Sequence, residues 1–243
     1  AASDVYKRQN LIMNFTKEPF TEITKNITIV GHIEGNTFLN TITGKIKISN
    51  KAKVTFQNLW MSVLENQNMF RINGESEVTF ENCVLQSEFP SNEYFLLLSE
   101  EKSKVNFKNF TTKLPDKHQL GMKFVHSAVS IQDSTIQNRL WIRDNSELEF
   151  IRSKMECSRP KSVWSEDSKL TIISSQIYGT FEEGTNPVLD INQSEINLED
   201  SIVEGVGTNY YTILLQSGSR GVFKNLTVSF MRIKNSHIRM VNG

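Results

Sequence analysis

Apolar residues recur along the chain in short alternating segments that share one pattern. The clearest unit is Ser-x-Val-x-Phe-x-Asn at residues 76–82, and its first apolar residue serves as an anchor for alignment. Successive anchors lie 24, 27, 24, 19, 22, 26 and 25 residues apart. A repeat of this period predicts a solenoid of stacked coils. The anchors are Val54, Val78, Val105, Val129, Leu148, Leu170, Ile196 and Gly221.

Fixed positions around each anchor carry fixed residue types. Ser stands two residues before seven of the eight anchors, and Asn or Asp stands four residues after six of them. Alternation with period two predicts a strand, and Asn or Asp tolerates a left-handed backbone in the following turn. There it can bond the equivalent residue one coil away. The position two residues after the anchor is always large and apolar: Phe56, Phe80, Phe107, Ile131, Phe150, Ile172, Leu198 and Phe223.

Two further apolar stretches accompany each anchor, about six residues before it and seven after it. Three short strands per repeat predict a right-handed parallel β-helix with three sheets, about eight or nine coils of about 24 residues each. Propeller and leucine-rich repeat signatures are absent, and a sandwich would not keep fixed Ser and Phe columns. We expect Phe56, Phe80 and Phe107 to touch in consecutive coils, and Phe150 to stack on Ile172.

Composition agrees with an all-β fold. Ile, Val and Thr are abundant, whereas Ala occurs only four times, and β-branched residues favour sheets over helices. The net charge is +0 and the charges are scattered, which argues against a nucleic-acid partner. No window reaches the roughly 18 apolar residues of a membrane helix.

The two ends of the chain stand apart from the repeat. Residues 1–9 (AASDVYKRQ) do not join the pattern and resemble a translated adapter scar, so they are excluded from fold reasoning. Residues 10–243 are expected to form a single β-helix domain, cut at both ends.

The repeat resembles a known superfamily. The unit with Phe-Gln-Asn at 56–58, Phe-Glu-Asn at 80–82 and Phe-Lys-Asn at 107–109 and 223–225 is similar to right-handed parallel β-helix proteins of the pectin lyase-like superfamily. It is similar in particular to their surface-adhesin and polymorphic-outer-membrane-protein-like members. The resemblance spans roughly residues 22–241, and it implies either an inert adhesin or a polysaccharide-active enzyme.

Positions seven residues before the anchor are expected to face outward from the first strand of each coil. They read Lys47, Arg71, Trp141, Val163, Leu189 and Leu214. No carboxylates stack there, although glycosidic hydrolysis needs a close pair. We therefore expect no catalytic residue, cofactor or metal, and regard Lys47, Arg71 and Trp141 as a glycan-contact face.

Other candidate chemistry is sparse. Asp190, Glu199 and Asp200 lie close in sequence, but Asp200 fills the turn column, which favours a structural role over Ca²⁺ binding. The four histidines lack metal-ligand spacing. A Thr ladder for ice binding is interrupted after Thr55 and Thr79. The cysteines, Cys83 and Cys157, fall about three coils apart, roughly 14 Å along the axis, and so are expected to be unpaired.

Five Asn-x-Ser/Thr sequons are candidates for glycosylation. Asn192 is expected to be the best exposed, whereas the ladder column should engage Asn109 and Asn225. The sequons are Asn14, Asn26, Asn109, Asn192 and Asn225. The sequence thus predicts a non-catalytic β-helix segment of a larger extracellular or cell-surface protein that contacts carbohydrate or another surface protein. The alternative is a lyase or hydrolase whose catalytic coils are incomplete.

Overall fold

The computed structural model is a parallel β-solenoid built from three sheets. It describes residues 12–15 (backbone only), 21–35, 37–63, 68–87, 95–113, 121–158, 161–180, 186–206 and 211–241. Within these ranges there is no helix, and each of the three sheets contains ten parallel strands. The prediction of an all-β, three-sheet parallel β-helix is confirmed. Each sheet has two strands more than the eight that the anchors mark.

Strands are numbered along the chain, and consecutive strands lie in sheets A, B and C in turn. Sheet A contains β1 (Ile12–Phe15), β6 (Thr41–Gly44), β9 (Trp60–Val63), β12 (Val84–Ser87), β15 (Thr111–Lys113), β18 (Thr135–Ile136), β21 (Lys154–Cys157), β24 (Gln176–Thr180), β27 (Ile202–Val206) and β30 (Thr227–Val228). Sheet B contains β2 (Thr21–Ile23), β7 (Ile46–Ile48), β10 (Phe70–Ile72), β13 (Leu97–Ser99), β16 (Met122–Val125), β19 (Leu140–Arg143), β22 (Val163–Glu166), β25 (Leu189–Asn192), β28 (Ile213–Gln216) and β31 (Met231–Lys234).

Sheet C holds the anchor strands. It contains β3 (Ile27–Val30), β8 (Lys53–Gln57), β11 (Glu77–Glu81), β14 (Lys104–Lys108), β17 (Ala128–Gln132), β20 (Glu147–Ile151), β23 (Lys169–Ile173), β26 (Glu195–Glu199), β29 (Arg220–Lys224) and β32 (His237–Val241). A small antiparallel hairpin, β4 (Ile33–Glu34) with β5 (Thr37–Phe38), interrupts the first coil. Every anchor pairs in register with the anchor of the next coil.

The interior is a set of stacked apolar columns. Phe56 stacks on Phe80 and Phe80 on Phe107, each at 5.2 Å between ring centroids and with planes 10° apart. Phe150 is the register partner of Ile172, and both are fully buried. Both expected stacks are confirmed. They form because each strand presents alternate residues to the same interior, one strand spacing above the previous coil.

A turn of two residues joins sheet C to sheet A in eight successive coils, and its first residue has a left-handed backbone. Asn58, Asn82 and Asn109 have φ of 57°, 50° and 47°. The Asn82 amide donates to Asn58 Oδ1 at 3.2 Å, and the Asn109 amide donates to Asn82 Oδ1 at 2.7 Å. The predicted ladder is confirmed for these residues. In a later coil Arg152 fills the same position and binds Asp133 with two hydrogen bonds of 2.7 and 2.8 Å.

Buried serines form two further ladders at the corners of the coil. The column before the anchors was visible in the sequence, and there the backbone N–H of Ser168 donates to Ser194 Oγ. A second column, five residues after the anchors, was missed although the sequence displays it as Ser134, Ser153, Ser175 and Ser201. The backbone N–H of Ser153 donates to Ser175 Oγ at 3.1 Å. These hydroxyls satisfy backbone groups that the turns would otherwise leave unpaired inside the protein.

We expect Asn82→Ala to lower the free energy of unfolding by about 1–2 kcal/mol, because it removes two ladder hydrogen bonds and strains a left-handed residue. Asn82→Gly removes the same bonds without the strain and should cost less than Asn82→Ala. Urea denaturation of both variants measures the difference. Equal losses would mean that the left-handed backbone contributes nothing at this position.

Candidate functional site

The outward side of sheet B, called face B below, gathers the glycan-contact residues that the sequence predicted. Lys47 and Arg71 are register partners on neighbouring strands, and Trp141 lies in the same column. Leu98 and Lys123 separate Arg71 from Trp141, so three strand spacings, about 14 Å, lie between them. The outward column of face B is Glu22, Lys47, Arg71, Leu98, Lys123, Trp141, Trp164, Asp190, Leu214 and Arg232.

Two outward positions were predicted wrongly. Val163 and Leu189 are fully buried, whereas Trp164 and Asp190 occupy the outward column. The cause is turn length. Two residues join β22 to β23 and β25 to β26, whereas three join β19 to β20. In β22 and β25, counting seven residues back from the anchor therefore reaches one residue too early. A shift of one residue along a strand exchanges its inward and outward positions.

The correction places three aromatic rings together on face B. Trp141 contacts Trp164 edge to face, with ring centroids 4.7 Å apart and planes at 66°. Phe95, which precedes β13, reaches over the intervening strand to Trp141, at 5.2 Å and 72°. We call these three residues the aromatic ledge. Both tryptophans are only half-buried, so the ledge forms part of the molecular surface.

Three cations surround the aromatic ledge. Lys123 Nζ lies 5.5 Å from the centre of the Phe95 ring, Lys161 Nζ lies 4.7 Å from that of Trp164, and the Arg143 guanidinium lies 5.6 Å from it. Lys161 precedes β22, so the sequence pattern of the strands did not single it out. These contacts are cation–π geometry, which holds the charges against the rings.

The carboxylates of face B are all engaged. Glu166 pairs with Arg143 at 2.5 Å, and Asp190, whose side chain is only 3% exposed, pairs with Lys161 at 2.8 Å. Gln216 Nε2 donates to Asp190 Oδ1 at 2.9 Å. Face B therefore contains Glu166 and Asp190, which counting back from the anchors did not place there. Each is neutralised by a cation and not left as a free acid–base pair.

The two cations predicted from sequence are paired as well. Lys47 contacts Glu22 at 2.8 Å, and Arg71 contacts Glu100 at 3.3 Å. The hydrogen bond from Lys47 is the main reason why the pKa of Glu22 is lowered. Among the described residues Lys123 pairs with no carboxylate, and it lies beside the aromatic ledge. Arg232 and Lys234 pair with none either, but they lie on β31, at the last strand of face B.

Loop length varies mainly at one corner of the coil, between sheets A and B. The chain there has between one and nine residues, whereas the turn from sheet B to sheet C always has two to four. The shortest of these connections near the aromatic ledge, 137–139, leads directly into β19 and Trp141. Longer connections lie on both sides of it. The connections from sheet A to sheet B are 16–20, 45, 64–69, 88–96, 114–121, 137–139, 158–162, 181–188, 207–212 and 229–230.

One of the sequons, Asn192, differs in exposure from what the sequence suggested. Asn192 is not in an exposed turn: it ends β25 and is half-buried on face B. Asn26 is exposed before β3, although its Oδ1 accepts a hydrogen bond from the Lys53 backbone. Asn109 and Asn225 donate their amides to ladder neighbours. The side chain of Asn14 lies outside the described residues, and glycosylation at any of the five remains a prediction.

Other predicted features can be located in the described part of the chain. Cys83 and Cys157 are both buried, and neither forms a disulfide, as expected. Burial raises the pKa of the Cys83 thiol to about 12, which leaves it protonated and unreactive at neutral pH. In the described ranges no three His, Cys, Asp or Glu side chains come together as a metal site. Nor does any helix of these ranges have the length and apolar character needed to cross a bilayer.

Asp200 lies in the turn ladder, where its Oδ1 accepts a hydrogen bond from Asn225 Nδ2 at 2.7 Å. Glu199 is paired with Lys224 at 2.6 Å.

Comparison of the chain with protein-family models, with curated proteins and with solved structures finds no match. A function is therefore inferred from the contacts of face B.

Proposed function

We propose that this chain is a non-catalytic β-helix segment of a larger extracellular or cell-surface protein, of the pectin lyase-like type, and that it contacts glycans through face B. The aromatic ledge is the centre of that contact. The rigid stack of coils would hold the ledge in a fixed position, so binding would require little ordering of the protein.

The observation that carries this proposal is the position of the variable loops. In a repeat protein, insertions that concentrate on one side tend to mark the binding side, because the remaining corners must keep the coils in register. Here they lead into sheet B, and the connection 137–139, which leads into the strand of Trp141, is shorter than the connections of the coils before and after it.

The chemistry of the ledge favours a sugar ring. Aromatic rings with an apolar body and a polar edge suit contact with a pyranose, whose faces are apolar and whose rim carries hydroxyls. Lys123 adds an uncommitted positive charge beside Phe95, which suits a carboxylate or sulfate on the polymer. Asp190 and Glu166 form ion pairs with Lys161 and Arg143, respectively, so neither carboxylate is free to act on a glycosidic bond.

We expect Trp141→Ala to weaken binding of an acidic glycan at least tenfold, since it removes the central ring, and tenfold corresponds to about 1.4 kcal/mol. Titration calorimetry with polygalacturonate oligomers, or a glycan array, measures this. Trp60→Ala is the matched control, because Trp60 lies on sheet A beneath Lys113. Equal binding by wild type and Trp141→Ala would contradict the site.

The same polymers test the absence of turnover. Incubation with polygalacturonate, with and without Ca²⁺, should yield neither unsaturated products nor new reducing ends. Lyase chemistry needs a base and usually a metal, and hydrolysis needs two carboxyls at a suitable separation. Product formation that disappears in Asp190→Asn would replace this proposal with the enzyme alternative.

A further inference from the structure

The outward side of sheet C carries a column of charges at the first position of each strand. Consecutive members are register partners one strand apart. The signs run plus, minus, plus, neutral, minus, plus, minus, plus. The charge column is Lys53, Glu77, Lys104, Ala128, Glu147, Lys169, Glu195 and Arg220.

Contacts within the molecule leave most of these charges unused. Lys53 and Glu77 lie 3.4 Å apart, and both are well exposed. Among the described residues, Lys104, Glu147 and Lys169 form no ion pair within 4.0 Å, and each is exposed to solvent. Lys104, Glu147 and Lys169 are therefore available to charges of a second copy.

The order of signs has a further property. The charges alternate in sign up to Lys104, and after the neutral Ala128 they alternate again, starting from the negative Glu147. As a result, residues at equal distances on the two sides of Ala128 carry opposite charges. One strand away from Ala128 lie Lys104 and Glu147, two strands away Glu77 and Lys169, and three strands away Lys53 and Glu195. Uninterrupted alternation over seven strands would instead place like charges at equal distances from the centre.

We propose that sheet C is the surface through which two copies of this chain associate, about a two-fold axis that runs along β17 at Ala128. Rotation about that axis reverses the order of strands and keeps the position along each strand. Every Lys of these three pairs then faces a Glu of the second copy, and the small Ala128 side chains face each other. An isologous interface requires such self-complementarity.

The other two outward columns of sheet C fit the same axis. Around Ser130, Asn106 faces Glu149, and Thr79 faces Thr171 of the second copy. Around Gln132, Lys108 faces Ile151, and Glu81 faces Ile173. No like charges meet in any of these pairs. This matters because like charges across an interface oppose association strongly.

The shape of sheet C also permits close approach. Its strands from β8 to β29 are five residues long, and turns of only two residues leave them toward sheet A. Seven strands from β8 to β26 offer roughly 17 Å by 35 Å, or about 600 Å² per copy. That area lies near the lower end for specific interfaces and implies a weak, salt-sensitive dimer. Face B belongs to another sheet, so each dimer would present two of them, independently of what face B binds.

Sedimentation equilibrium of the full chain between 1 and 300 µM tests the proposal, with 50 mM and 500 mM NaCl compared. We expect reversible dimers at low salt that dissociate at high salt. K104E and E147K should each weaken dimerisation at least tenfold, because each places like charges opposite one another twice. An equimolar mixture of K104E and E147K should form heterodimers, since both contacts are then opposite in sign.

K113E on sheet A is the matched control and should dimerise like the wild type. Circular dichroism confirms that each variant is folded, as expected for exposed positions. A wild-type chain that is monomeric at 300 µM in 50 mM NaCl overturns the proposal. So does a mixture of K104E and E147K that remains monomeric while the wild type dimerises.

Discussion

Phe107→Ala should lower the free energy of unfolding by about 3–5 kcal/mol, the range for removing a buried aromatic side chain from a well-packed core. Phe107 is fully buried and stacks on Phe80 at 5.2 Å. It also contacts Phe110 at 4.7 Å, and Ile131 follows in the next coil. Truncation leaves a cavity in the middle of a continuous column, where the strands on both sides hold the backbone in place.

The loss should be local in its consequences. Each coil of a solenoid contacts only its neighbours, so the destabilisation should appear first in β11, β14 and β17. Hydrogen exchange along the chain, together with urea denaturation, measures both quantities. Phe230→Ala is the matched control because Phe230 is 57% exposed, and it should cost below about 1 kcal/mol. A comparable loss in both variants, or uniform loosening of all coils, would contradict this prediction.

The sequence predicts the interior of this fold well because repetition makes the signal redundant. Phe56, Phe80 and Phe107 occupy one column, and a column can form only if successive coils stack in register. The turn ladder could be predicted for a similar reason. Asn58, Asn82 and Asn109 recur where the chain must adopt a left-handed conformation, and Asn tolerates that conformation at low cost.

The outward surface was harder to predict because it depends on turn length. Between β22 and β23 the turn is one residue shorter than between β19 and β20, so Trp164, and not the predicted Val163, lies on face B. Contacts made by residues in the connections from sheet A to sheet B could not be predicted either, because these residues do not follow the repeat. Phe95 and Lys161 lie outside the strands, where the alternating pattern contains no information about direction. The charge column, in contrast, could have been read from the first residue of each anchor strand.

The other large effect concerns the buried carboxylate of face B. Asp190→Ala should destabilise the chain by about 2–4 kcal/mol, because Lys161 and Gln216 lose their charged partner. The expected loss is smaller than the full cost of leaving a buried charge without a partner. The reason is that the Lys161 side chain is 35% exposed and can turn to water.

Replacement of both charges should restore much of that stability. Apolar residues of similar volume avoid the desolvation of a buried ion pair, so Asp190→Leu combined with Lys161→Met should cost clearly less than Asp190→Ala alone. Urea denaturation of these two variants tests this, and Glu195→Ala on exposed sheet C serves as a control with little effect. A double variant as unstable as Asp190→Ala would mean that Asp190 acts through more than Lys161. In that case the hydrogen bond from Gln216, which ties β28 to β25, would be the stronger contact.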